Sequence, residues 1–463
     1  MIFKAHKAHM NNLSNMTKTR ICVIGAGPCG MSMLYNYANM DAGSDVEIVC
    51  YEKQTTWGGL WNLTWRTGTD EYGEPCHAGM YKHLWSNGPK ECLEYPYYTF
   101  EDHFGKAVPS FPPRPVLLDY LLGRMKKCKK DPTQYIKFST AVRFVKYNES
   151  EDNFTVTSTN LVDDKTVTEK FTHVVVAVGI FNSPNIPTFP GIESFGGRIL
   201  HAHNFRDAGE FKDQRLLLIG ASYSAEDIAL QCCKYGAKNV ICTWRTKPMG
   251  FKWPEGIEER PLVQRFDSNS AYFKDGTSAE VDAVILCTGY LYTFPFMDEN
   301  LRLKCTLSVY PEGLYKGSLW LGGGNNKLFY AGIQDQYYTF TMFDVQTLWI
   351  CNYILGKYEK LEMTEMLKDS NAMVERRKGL KDCHDDIDFQ SDFVAELCSL
   401  TDYDKRCVDA RSLFHKWEHD KDENIKTYRD KCFASIFTST MSPSHSSDWW
   451  NAFDDSIKTF VGK

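Results

Sequence analysis

At 463 residues, with 43% hydrophobic and 24% charged side chains, the chain is long enough for two or three packed cores and has an ordinary globular balance. A net charge of −6 argues against the basic face a nucleic-acid partner demands, and no stretch reaches the ~18 apolar residues of a membrane helix. The first 16 residues lack the apolar segment of a secretory signal and read as a disordered leader, 1–16. None of the 16 cysteines stands in a C-x-x-C or C-x-x-x-x-C pair, so they read as reduced thiols of a cytoplasmic protein. That absence also removes the redox pair a disulfide reductase needs.

In chain order, the first feature is a β-branched strand, Arg20–Ile24, running into Gly25-Ala-Gly27-Pro-Cys29-Gly30 and a helix to about Asn39. A second strand, Val46–Tyr51, ends in Glu52, 27 residues after Gly25. The glycines let a pyrophosphate approach the helix N-terminus, and the acid accepts from a ribose hydroxyl. His173–Val178 is a further strand closing on Gly179, and Pro184, Pro187 and Pro190 make a stiff linker. The dinucleotide pattern then recurs. Arg215–Ile219 feeds Gly220-Ala-Ser222-Tyr223-Ser224, a helix runs to about Tyr235, and the strand Asn239–Trp244 ends in Arg245-Thr246 instead of an acid. A carboxylate there would repel a 2′-phosphate, whereas a guanidinium binds one through paired hydrogen bonds. The first unit therefore fits FAD and the second NADP(H), with a solvated surface arginine as the alternative for Arg245. Ala283–Cys287 leads into Thr288-Gly289-Tyr290 as a return strand. The later segment 357–385 is charged and helix-favouring, and Trp449-Trp450 points to a tail docked on the body.

Between the two units stands Phe195-Gly-Gly197-Arg-Ile-Leu-His201-Ala-His-Asn-Phe205. This stretch resembles the F-x-G-x-x-x-H-x-x-x-[F/Y] fingerprint of the flavin-containing monooxygenases, and Leu286-Cys-Thr-Gly-Tyr290 is similar to their L-A-T-G-Y segment. Trp85-Ser-Asn87-Gly-Pro, Gln334-Asp335-Gln336 and the segment Trp417 to Arg429 look most like the soluble bacterial-type trimethylamine monooxygenases. The resemblance implies that Cys29, Glu52, Gln54, Leu60, Trp61, His77, Val142, Gln336 and Thr339 touch FAD. It likewise implies that Trp85, Ser222, Tyr223, Ser224, Arg245, Thr246 and Arg429 touch NADP, with Asn87 between the two cofactors. Asn87, Tyr223 and Asp335 form the candidate catalytic set, and Tyr223, Tyr337 and Trp417 the candidate wall of an amine pocket. Each of those aromatics is also readable as core, and Ser-Asn-Gly-Pro as a plain turn. Where the trimethylamine enzymes carry D-Q-W-Y, this chain has Asp335-Gln-Tyr337-Tyr338.

The chemistry implied by the resemblance is NADPH reduction of FAD, reaction with O2 to a C4a-hydroperoxyflavin, and oxygen transfer to a soft nitrogen or sulfur. A small tertiary amine or a thioether is then the expected substrate. The flavin supplies the hard chemistry and the protein a dry, oriented cavity. A Baeyer–Villiger monooxygenase, whose fingerprint ends in W-P or W-D, and a weakly coupled NADPH oxidase are the alternatives; here Phe205 is followed by Arg206. His201 and His203 make an H-x-H with no third ligand apparent, so no metal is expected and both read as backbone-bonding residues. The fold expected is α/β, with two Rossmann-like domains and the NADP domain inserted into the FAD domain. The boundaries are 17–185 and 293–463 for the FAD domain and 186–292 for the NADP domain. A homodimer is implied by resemblance alone.

Overall fold

The computed structural model describes residues 18–359 and 361–462, so the expected leader lies outside the described residues. Two sheets organise the chain, one wholly parallel and one parallel except for an antiparallel edge formed by Leu314–Tyr315 and Leu319–Trp320. In the first, Thr19–Ile24 is central, flanked by Val46–Tyr51 on one side and His173–Val176 on the other. The strand Leu328–Tyr330 joins in parallel beside His173–Val176, so the sheet is assembled from segments far apart in sequence. Cys22 and Val23 are wholly buried, as a strand covered on both faces requires, which explains why it reads as a continuous apolar run.

The second sheet has the order Ile257–Pro261, Asn239–Trp244, Arg215–Ile219, Ala283–Leu286, Arg198–His201, every pairing parallel. The chain leaves and returns through two short strands that pair antiparallel, Ser183–Pro184 with Tyr290–Leu291. Each glycine-bearing strand thus has a return strand at its side, His173–Val176 in one sheet and Ala283–Leu286 in the other. Two features were absent from the sequence reading. The meander Thr140–Asn148, Asn153–Asn160, Lys165–Phe171 is antiparallel, as is the small sheet Val263–Phe266, Ser270–Phe273, Ser278–Glu280.

The charged stretch after residue 357 forms the helix Met363–Lys378, followed by Cys383–Leu400. Met366 and Val374 are buried, so the first of these carries an apolar stripe into the body instead of being solvated all round. The helix Ala410–Glu423 then returns toward the second sheet, and the tail ends in a short helix, Ile457–Val461. Trp449 in this tail has no exposed surface.

Candidate active site

The first glycine turn is built for close approach. Gly25 has φ +100°, and a Cβ there would stand 2.7 Å from the Ala177 carbonyl; at Gly30 one would overlap the Gly25 carbonyl. The helix Pro28–Asn39 starts with no side-chain cap, which leaves its first amides free. Gly58 and Gly59, both with positive φ, pass over this start, and a Cβ on Gly59 would lie 2.8 Å from Gly27 Cα. Glycine on both sides makes a cradle that side chains would fill. Glu52 is buried at its edge, accepting from the Ala26 amide at 2.6 Å and the Gln54 amide at 2.8 Å. Burial raises its carboxyl above the ordinary value, and those two amides pull in the opposite direction.

Several of the expected flavin residues lie beside this cradle. Gln54 Nε2 donates to the Gly59 carbonyl at 3.3 Å, and Leu60 and Trp61 belong to the turn Gly59–Trp61. The Trp61 ring meets Phe340 edge-on at 5.8 Å, which brings this turn to the start of the helix Thr339–Ile354. Val142 sits half-buried on the strand whose Thr140 amide donates to the Glu52 carbonyl. The buried Gln336 Nε2 has no hydrogen-bond partner among the described residues. Cys29 is buried with its thiol against Gly332, so it presents backbone to the cradle, not sulfur. His77 holds His203 Nε2 through its carbonyl at 3.3 Å.

At the second turn Gly220 has φ +141°, and a Cβ would collide with the Cys287 carbonyl. The helix Tyr223–Lys234 also starts without a side-chain cap, and Ser222 and Ser224 are exposed there. Arg245 and Thr246 are exposed at the end of the strand Asn239–Trp244.

Beside the second turn lies a cavity of about 460 Å³, lined among others by Ser222, Tyr223, Asp335, Gln336, Tyr337 and Lys421. Tyr223 and Trp417 stack nearly parallel at 6.4 Å, and Tyr337 meets Trp417 edge-on at 6.0 Å. The three expected wall aromatics are therefore one cluster. Burial holds the Asp335 carboxyl above its ordinary value. Asn87 is exposed, and the adjoining Gly88 lies against the Trp417 ring.

Two expected nucleotide contacts are buried in this structure. Trp85 is buried with its ring against His445 and Phe460 of the tail, a core position. Arg429 has no exposed surface; it is paired with Asp227 and donates from Nε to the Ser86 carbonyl at 3.1 Å. It braces the Asn87 turn from beneath and ties it to the helix Tyr223–Lys234, leaving Nη1 without a partner among the described residues. His201 and His203 are also accounted for. His201 Nδ1 accepts from the His203 amide at 3.0 Å while Nε2 faces the Gly289 carbonyl at 3.1 Å.

The sequence reading missed Glu418, Lys421 and Glu226, all buried beside the aromatic cluster, and the second glycine pair, Gly58-Gly59. The signal for the first two was Trp417-Glu418-x-x-Lys421, a spacing that places all three on one helix face.

Comparison with known proteins agrees with this geometry. The family described as flavin-binding monooxygenase-like matches residues 18–249 and 255–419. The chain belongs to that family, and a flavin is its cofactor. A trimethylamine monooxygenase of Methylocella silvestris is 49% identical over 96% of this chain and 98% of its own length. That of Pelagibacter ubique is 49% identical over 96% and 100% respectively. The crystal structure of the Pelagibacter sp. enzyme Tmm superposes with a TM-score of 0.91 at 46% identity, covering 96% of this chain and 100% of that one. An S-allyl-L-cysteine S-oxygenase of Allium sativum superposes at 0.75 with 26% identity, covering 89% and 95%. Among the described residues no helix is long and apolar enough to cross a membrane.

Proposed function

We propose that the chain is an NADPH- and O2-dependent monooxygenase that converts a small tertiary amine, trimethylamine foremost, to its N-oxide, with thioether S-oxidation as a side activity. The observation that carries this is a cavity walled by Tyr223 and Tyr337 at the second of two uncapped, glycine-lined helix starts. FAD is the flavin in this reading: the glycine cradle takes its pyrophosphate, Glu52 its ribose, and the unpartnered Gln336 Nε2 a ring acceptor. NADPH belongs at the second turn, its 2′-phosphate on Arg245 and Thr246, within a nucleotide domain spanning about 186–292.

When bound and reduced, the flavin activates O2 and supplies the oxygen atom. The chain's own residues prepare the acceptor. Tyr223, Tyr337 and Trp417 exclude water around the amine and hold its nitrogen toward the flavin side. Of the carboxyls lining the cavity, Asp335 is the one this reading assigns to take the proton of an incoming ammonium and free the nitrogen lone pair. Asn87, on the turn braced by Arg429, offers an amide to the reacting centre. We further infer a homodimer, which sedimentation analysis reads directly.

The test is a turnover with NADPH, trimethylamine and 18O2, followed by mass spectrometry. Trimethylamine N-oxide carrying one labelled oxygen per NADPH supports the reading. NADPH consumed entirely to H2O2, with trimethylamine recovered unchanged, overturns it.

A further inference from the structure

Lys421 and Glu418 project from the helix Ala410–Glu423 beside the aromatic cluster, where both are almost wholly buried, and Lys421 also lines the cavity. Glu418 Oε1 accepts from the Tyr337 hydroxyl at 3.1 Å and from the Tyr223 hydroxyl at 3.3 Å, while the two hydroxyls stand 3.2 Å apart. The other oxygen, Oε2, faces the Lys421 ammonium at 3.5 Å, and that ammonium pairs with Glu226 at 3.0 Å. Burial alone would lower the Lys421 ammonium, but Glu226 and Glu418 outweigh it and keep it above its ordinary value.

The polar chain Tyr337–Glu418–Lys421–Glu226 therefore joins three elements: the loop before Thr339, the helix Ala410–Glu423 and the helix Tyr223–Lys234. Trp417, the residue before Glu418, supplies the third ring of the same wall. A carboxylate shielded from solvent attracts a hydroxyl donor strongly, and one acceptor shared by two phenols fixes both rings at once. Position 337 is also where this chain departs from the D-Q-W-Y pattern, and the departure provides the hydroxyl that reaches Glu418.

We propose that Glu418 is a positioning residue for the amine cavity: its buried carboxylate gathers the hydroxyls of Tyr337 and Tyr223 and so fixes the two walls from a third element. The substrate side of this inference rests on the amine N-oxygenation reading above.

The test is a double-mutant cycle with Tyr337→Phe, Glu418→Gln and the pair, measured in the flavin-loaded enzyme. Tyr337→Phe keeps the ring and deletes one oxygen, so it folds even if the Glu418 variant is impaired. Each single change is expected to raise KM for trimethylamine by about tenfold, with kcat changed by less than about twofold, and the pair to be no worse than either single. Both should also raise the H2O2 formed per NADPH. Additive effects in the cycle, or a Tyr337→Phe enzyme with unaltered KM and H2O2 yield, would overturn the proposal. If the wild type makes no N-oxide at all, it is the function reading that fails. The cycle is then read in amine-free NADPH oxidation, where the two single variants should rise together and non-additively, and independent effects again overturn the proposal.

Discussion

Arg245 and Arg429 are both expected to touch NADP, and the fold treats them in opposite ways. Arg245 stands exposed at the end of a strand, while Arg429 is sealed beneath the Asn87 turn against Asp227. Changing Arg245 to Ala should raise KM for NADPH by about ten- to a hundredfold and leave the KM for NADH unaltered, because only the 2′-phosphate is lost as a partner. Steady-state kinetics with both nucleotides check it, and equal losses for the two would refute the assignment. Arg429→Ala is a different experiment. It leaves the Asp227 carboxylate in the interior with the Tyr81 hydroxyl but no cation, and should cost about 3–5 kcal/mol of stability, read by calorimetry before any effect on NADPH is measured. A variant as stable as the wild type would mean that Asp227 finds another partner or a proton.

Whole elements were legible where their information is local. Strand, glycine turn, helix and second strand lie within about 35 residues in each unit, and the register Ile24↔Tyr51 sets Glu52 beside the first turn. The tail was legible only as something that docks, since its partners are some 200 residues away. Lys234, in the last turn of the helix Tyr223–Lys234, donates to the Trp449 and Ala452 carbonyls, each at 2.6 Å, and lies 4.6 Å from the Trp449 ring. Further on, the tail packs Phe460 against Trp85, the residue that opens the Asn87 turn. No periodicity within the tail encodes such contacts. Lys234→Met should therefore loosen the strap while leaving the apolar packing, and limited proteolysis within the exposed residues 446–448 should quicken by about tenfold. Unchanged cleavage would show that the aromatic contacts hold the strap without the ammonium. The same non-locality hid Glu418 and Lys421, whose spacing suits an exposed helical pair until Tyr223, Tyr337 and Glu226 close over them.

At the scale of the molecule, the buried His201 and the half-buried His173 and His445 make the fold sensitive to mild acid. His173 lies on the first sheet, His201 on the edge strand of the second, and His445 in the tail against Trp85. Burial lowers each of them to about 4 from an ordinary 6.5. The unfolded chain therefore binds protons at these sites between pH 6.5 and 4 while the folded chain does not, so stability present above pH 6.5 is lost as the pH falls through that window. Glu52 and Glu226 work in the opposite direction, because burial raises their carboxyls and the folded form takes up their protons first. The two effects overlap, so the whole-protein slope does not isolate either one, but a histidine variant does. At His201 the geometry sharpens the expectation: Nδ1 already accepts from the His203 amide, and a proton added there would oppose that N–H. Replacing His201 by Gln, which keeps an acceptor and a donor but does not titrate, should lower stability at pH 7 yet flatten its decline between pH 6.5 and 5. Thermal unfolding of the variant and the wild type across that range decides the matter. Parallel declines would mean that the imidazole is not the group taking up the proton, and that the junction between the two sheets loosens in acid for another reason.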